Sequence, residues 1–343
     1  MQRGMAAILA AACLAALAPR AVTAAPTTDG DWAAPYLSPQ RLVPITGGRR
    51  LNLYCSGQGS PAVVLDAGFG DDSLTWRKLQ PLIATHRRVC AYDRAGERFS
   101  DPGPLPRDVE AATKDLHALV VAAGVPTPFV LVGHSLGGMN ALLYAERYPG
   151  ELSGLVLLDP GVENTKARFA ALLHNAAAVR AFWRHLDRCE EGATAGDAAV
   201  VRNCAEHADR VRPEFPDVLN RVQIQIAERP QLWKTLGSES RALESTGRPT
   251  RDDAILGKAN HALGSLPLVV VMRAEAREDP ALSPETNHRV WTVIHDADAG
   301  LAKLSTAGRL VVLSGSSHWV HLDKPQDVAK LVLSLPSDGQ GRR

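Results

Sequence analysis

The pentapeptide Gly133-His134-Ser135-Leu136-Gly137 sets a serine between two glycines, with the aliphatic run FVLV before it and the helix formers MNALLYAER after it. That spacing suits a nucleophile. A serine on a sharp turn from strand to helix is held in a strained conformation, and flanking glycines leave room for the turn. The helix that follows offers free amide groups and a partial positive charge to negative charge developing nearby. A serine hydroxyl is weakly nucleophilic without a base. Among eleven histidines, His318 in VVLSGSSHWVHLDKPQDV stands between the last expected strand and the last expected helix. His321 is the other candidate base, and His134 is expected to point away from the chemistry. A metal pair at His318 and His321 lacks a third ligand at a suitable spacing, so no metal and no cofactor is expected.

These side chains need a scaffold, and the hydrophobic pattern describes one. LNLYCSG, PAVVLDAGFG, RRVCAYDRAG, FVLVGHS and LSGLVLLDPG are short aliphatic runs that end at glycine or a turn. RDVEAATKDLHALVVAAGV and LGGMNALLYAERYPG carry apolar residues at helical spacing. Strands without alternation, separated by helices, predict a mostly parallel, doubly wound α/β sheet covered on both faces. From 162 to 263 the strand signals vanish and helical segments take over. PLVVVMRA and RLVVLSGS then return as expected buried strands, and DVAKLVLSL closes as a helix. The expected organisation is a core of 40–161 and 264–336, a helical cap of 162–263 inserted late in the sheet, and a flexible tail of 337–343.

The stretches DAGFGDDSLTW, VCAYDRAG, VLVGHSLGG, LVLLDP and SGSSHWVHLDKP, in this order, resemble the α/β-hydrolase fold family over most of the mature chain. The resemblance implies Ser135 as nucleophile and His318 as base. It further implies an oxyanion hole made by the backbone N–H groups of Leu136 and Phe69, the latter in the turn Gly68-Phe69-Gly70. The acid that orients the base has two positions in the family. The commoner one falls after PLVVVMRA, where Glu275, Glu278 and Asp279 are out of clear register. The other falls one strand earlier, at Asp159 in LVLLDPG, where an aspartate ends an apolar strand at the ligand-binding edge of the sheet. Asp159 is the expected acid and Glu275 the reserve. A serine hydrolase acting on apolar esters or related acyl compounds is the implied activity. Peptidase, lactonase and C–C bond hydrolase chemistry share such a triad, and a binding protein on the same fold is a further alternative.

With 343 residues, 45% hydrophobic residues and net charge +1, the composition is that of an ordinary globular protein, and a small-molecule substrate is what the resemblance implies. The composition gives no reason to expect nucleic acid or an anionic membrane as partner. Residues 1–24, with Arg3, an apolar stretch from Met5 to Ala18 and small residues at Val22 and Ala24, predict a secretory signal peptide. The apolar stretch is short for a stable membrane anchor, and lipidation at Cys13 lacks the expected flanking leucine. A secreted or periplasmic location follows. Four cysteines then remain, and an oxidising compartment favours two disulfides. Three connectivities are open, with Cys55–Cys90 and Cys189–Cys204 the pairing adopted. Phe182, Trp183 and Trp233 are candidate pocket residues in the cap.

Overall fold

A computed structural model describes residues 31–162, 177–208, 210–243, 250–258, 262–274 and 283–336. The strands are β1 (Leu42–Pro44), β2 (Arg50–Ser56), β3 (Val63–Asp66), β4 (Val89–Tyr92), β5 (Phe129–His134), β6 (Leu152–Leu158), β7 (Leu268–Arg273) and β8 (Gly308–Leu313). They form one sheet in the order β1-β2-β4-β3-β5-β6-β7-β8. β2 runs antiparallel to β1 and β4, and the other pairings are parallel. Every residue of β3, β4 and β5 is buried, which is why these runs carry no polar alternation.

The two faces divide the aliphatic residues. Val63, Leu65, Val130, Val132, Val156 and Val269 pack with Trp76, Leu79, Ile83 and Val328 on one side. Val64, Leu131, Leu155, Leu157 and Val270 pack with Leu116, Leu119, Ala141 and Tyr144 on the other. Each fully buried side chain of this size contributes about 1.5–3 kcal/mol. Because β3 and β5 to β8 are parallel, Phe69, Ser135, Asp159 and His318 all follow the same edge of the sheet.

Two elements differ from expectation. β8 is the edge strand and only partly covered, with Val312 48% exposed; an edge strand has one neighbour, and its aliphatic run alone does not reveal that. The helix Pro284–Ala302 between β7 and β8 has apolar residues too sparse to stand out in the sequence.

Among the described residues between β6 and β7 there are helices and no strand: Ala177–Ala195, Ala198–Glu206, Asp217–Ala227, Pro230–Leu243 and Arg251–Leu256. They enclose a hydrophobic cluster of their own, including Leu186, Val201, Ile226 and Trp233. Cys189 is bonded to Cys204 inside that cluster. Cys55 is bonded to Cys90, which lies directly opposite it across β2 and β4. Among the described residues no helix is long and apolar enough to cross a membrane. Residues 1–24, Cys13, Glu275, Glu278, Asp279 and the tail 337–343 lie outside the described residues.

Candidate active site

Ser135 joins β5 to the helix Leu136–Arg147 with φ 51° and ψ −116°, a conformation that a side chain rarely adopts. Crowding explains the flanking glycines. A Cβ at Gly133 would meet Gly137 O at 2.2 Å, and one at Gly137 would meet Asp66 O at 2.2 Å. The strain is held by backbone bonds: Ser135 N–H donates to Leu158 O at 3.1 Å, while Gly138 and Gly161 N–H donate to Ser135 O at 2.9 Å. Serine is a favoured helix cap, yet this side chain makes no capping bond.

Asp159 follows β6 with φ 40°, tolerable for a short polar residue. Its N–H donates to Val271 O at 2.6 Å. Its side chain is only 3% exposed, and Oδ2 accepts from His318 Nδ1 at 2.5 Å. Arg273, the last residue of β7, donates to the same oxygen. Arg273 Nη1 stands 3.4 Å from His318 Nδ1. When Nδ1 carries its proton toward Asp159, both nitrogens are donors and that approach is not a bond. Asp298, buried on Pro284–Ala302, has no hydrogen-bond partner for either carboxylate oxygen among the described residues. Burial first, and then the charge of Asp159, pushes its carboxyl up to about 8, with Arg273 opposing.

His318 is also tied to the elbow. His134 Nε2 donates to the His318 carbonyl at 2.9 Å, and its Nδ1 has no hydrogen-bond partner among the described residues. The ring of His134 lies 4.7 Å from that of His318 and 4.5 Å from that of His321. His134 thus lies beneath His318, against its ring and carbonyl. His321 is fully buried, and its Nε2 is 2.9 Å from Thr75 Oγ1. It is held in the interior, while the His318 side chain is 37% exposed. Burial, reinforced by the neighbouring histidines, holds His134 well below the usual histidine range. Burial also pulls His321 down to about 3.

The turn after β3 crosses directly over the elbow. A Cβ at Gly68 would fall 2.9 Å from His134 Nδ1 and 3.2 Å from Ser135 Cβ. The next residue, Phe69, shares a pocket wall with Ser135, Leu136, Met139 and Trp183. Trp183 meets Phe69 at 6.2 Å between ring centroids, while Trp233 is buried among the inserted helices and Phe182 is 48% exposed. The two aspartates beyond the turn differ in use. Asp72 caps the next helical turn by accepting from Leu74 N–H at 2.9 Å, and Asp71 accepts from Trp319 Nε1 at 3.2 Å.

The structure therefore brings Asp159 and His318 into contact, sets Ser135 at the strained turn tied to the His318 loop, and brings Phe69 and Leu136 to one pocket. Arg273 was not anticipated. The signal was available, since a charged residue ending an apolar strand at this edge is the pattern that marks Asp159.

A family profile described as the alpha/beta hydrolase family matches residues 63–331. The chain belongs to that family. It is 34% identical over 106 residues to the uncharacterized protein YqjL of Bacillus subtilis (strain 168), a match spanning 31% of this chain and 42% of that protein. It is 32% identical over 102 residues to the (lyso)-N-acylphosphatidylethanolamine lipase of Mus musculus, spanning 29% of this chain and 30% of the lipase. These matches thus span less than half of the relatives' own length. In fold it is similar to a thermophilic esterase from Thermogutta terrifontis, with TM-score 0.53 and 21% identity over 85% of this chain and 96% of the esterase.

Proposed function

We propose that the protein is an exported serine hydrolase that cleaves esters or related acyl compounds through an acyl-enzyme. Ser135 Oγ attacks the carbonyl carbon while His318 Nε2 takes its proton. The N–H groups of Phe69 and Leu136 stabilise the tetrahedral oxyanion, and collapse breaks the ester C–O bond as His318 gives its proton to the leaving oxygen, so that an alcohol departs. Water, its proton taken by His318, then attacks the acyl carbon, and collapse releases the carboxylic acid and returns the proton to Ser135. Asp159 fixes the ring with Nδ1–H inward and stabilises the imidazolium. The observation that carries this reading is the 2.5 Å bond between His318 Nδ1 and Asp159 Oδ2, at the edge where Ser135 takes its strained turn. A Ser-His-Asp set without a built-in electrophile supports acyl transfer. The bonded cysteine pairs support export, with residues 1–24 as the signal. The pocket wall formed by Phe69, Leu136, Met139 and Trp183 supports an apolar acyl group.

The test is a mass spectrum after exposure to a fluorophosphonate probe. One adduct mapped to Ser135 is expected, with ester turnover lost by several orders of magnitude in Ser135→Ala. Unchanged turnover in that variant would remove Ser135 from the mechanism.

A further inference from the structure

The turn that carries the Phe69 N–H is held from behind by two guanidinium groups, that of Arg94 buried and that of Arg210 11% exposed. Arg94 donates to Ala67 O at 2.6 Å through Nη1 and to Gly68 O at 2.8 Å through Nη2. Arg210 donates to Gly70 O at 2.9 Å. These carbonyls belong to peptide units whose other ends matter. The Gly68 carbonyl and the Phe69 N–H are one amide, and in a trans amide they point in opposite directions. A cation on that oxygen therefore leaves the N–H pointing away from Arg94 and strengthens it as a donor, because bonds in series polarise one another. Arg210 acts one link further back. Its partner, the Gly70 carbonyl, shares an amide with the Asp71 N–H, and that N–H donates to Gly68 O at 3.2 Å. The chain runs from Arg210 through Asp71 to Gly68 and the Phe69 N–H, with Arg94 joining at Gly68.

Both cations are anchored by charge, and the anchors cross between the sheet and the inserted helices. Arg94 follows β4, and its Nε is 3.0 Å from Glu239 Oε1 on Pro230–Leu243. Asp66 is a second carboxylate, 3.6 Å from Nη1. Arg210 comes from the insertion, and its partners Asp72, at 3.1 Å, and Glu97, at 3.2 Å, belong to the sheet's loops. Burial opposes the charge on both arginines, but Glu239, Asp66 and Glu97 around Arg94, and Glu97 with Asp72 around Arg210, outweigh it.

We propose that Arg94 and Arg210 are positioning residues for the oxyanion donor at Phe69, and that through Glu239 and Arg210 the inserted helices must be seated for that donor to be fully effective. The proposal rests on the acyl-transfer reading of Ser135. Without it the network is a structural tie.

The test compares wild type, Arg94→Lys and Arg210→Gln on a soluble aryl ester, with a trifluoromethyl ketone as probe, since its adduct with serine carries the tetrahedral oxyanion. Arg94→Lys keeps a charge opposite Glu239 but cannot reach both carbonyls and the carboxylate together. Arg210→Gln removes the more exposed cation and serves if the first variant fails to fold. For either variant kcat should fall about tenfold, part of the effect of deleting an oxyanion donor. The ketone's inhibition constant should rise by a similar factor, while KM moves less than about threefold. Unchanged kcat and inhibition constant in a folded variant would overturn the proposal. So would equal changes in KM and the inhibition constant, which mark general loosening of the pocket. If wild type gives no fluorophosphonate adduct at Ser135, the acyl-transfer reading fails and takes this proposal with it. An adduct on wild type with an unaffected Arg210→Gln removes this proposal alone.

Discussion

Asp159 Oδ2 receives both His318 Nδ1–H and the Arg273 guanidinium, and this sharing decides what Asp159→Asn would do. An asparagine there has one carbonyl oxygen and one NH2 group. Arg273 has only donors, so it draws the amide oxygen to the place of Oδ2, where His318 Nδ1–H also finds it. The NH2 group then falls at the buried place of Oδ1, which has no hydrogen-bond partner among the described residues. On the acyl-transfer reading the His318 tautomer survives and only the charge is lost. The expected fall in kcat is therefore smaller than the roughly 10⁴-fold seen when a triad base is locked in the wrong tautomer. Arg273 also sets a non-additive expectation. In Asp159→Asn combined with Arg273→Met the amide is free to turn its NH2 group toward Nδ1, which moves the ring proton to Nε2, so the double variant should be slower than the product of the two single effects. Steady-state kcat for wild type, both single variants and the double variant closes the cycle. A double variant no slower than that product would show that Arg273 does not dictate the amide's orientation.

At the scale of the strand–turn–helix element, glycine positions separate two kinds of requirement. Gly137→Ala places a methyl group 2.2 Å from the Asp66 carbonyl of the neighbouring strand, a backbone atom that cannot step aside. Loss of several kcal/mol or of soluble protein is expected. Gly150, after the helix, has open space around a Cβ and a φ outside the left-handed range, so Gly150→Ala should stay within about 1 kcal/mol of wild type. Urea unfolding of the two variants checks the contrast, and a stable Gly137→Ala would mean that the elbow tolerates being opened. The elbow was legible in the sequence because its demands are local: an aliphatic run, two glycines and helix formers within about twenty residues. Asp159 was legible on similar terms, as a carboxylate ending an apolar strand. The supports of the turn at Phe69 were not. Arg94 meets Glu239 across 145 positions and Arg210 meets Gly70 across 140, and nothing near either arginine in the chain marks its partner. The edge position of β8 was hidden for a related reason, since strand order depends on which runs pair and not on what each run contains.

Over the whole molecule, buried ionisable groups make stability depend on pH in two opposing ways. His321 and His134 sit neutral in the interior, His321 pulled down to about 3 mainly by burial and His134 held well below its ordinary value. In the unfolded chain both titrate near 6.5. Below about pH 6.5 the unfolded state therefore binds protons that the folded state refuses, and stability falls until the pH reaches the folded value. Each group contributes a slope of about 1.4 kcal/mol per pH unit in that window. The buried acids act in the other direction. Asp66 is raised to about 6 and Asp298 to about 8, chiefly by burial. They hold protons that the unfolded chain releases above about pH 4, so their contribution is complete at low pH and lost as the pH rises through those values. The sum is not a clean readout of any one group, but a difference between two proteins is. His321→Gln keeps a polar partner for Thr75 and removes the titrating ring, while the acids contribute equally to both proteins and cancel. At pH 7.5 the variant should be the less stable, having lost the packing of the ring against Trp76 at 4.5 Å. Between pH 6.5 and 4.5 it should gain on wild type by on the order of 3 kcal/mol, two pH units at the single-histidine slope. Denaturant unfolding of both proteins at these pH values measures the gap. A gap that stays constant would mean that His321 accepts a proton in the folded protein as readily as in the unfolded one, and that the histidine stack beneath His318 is open to water.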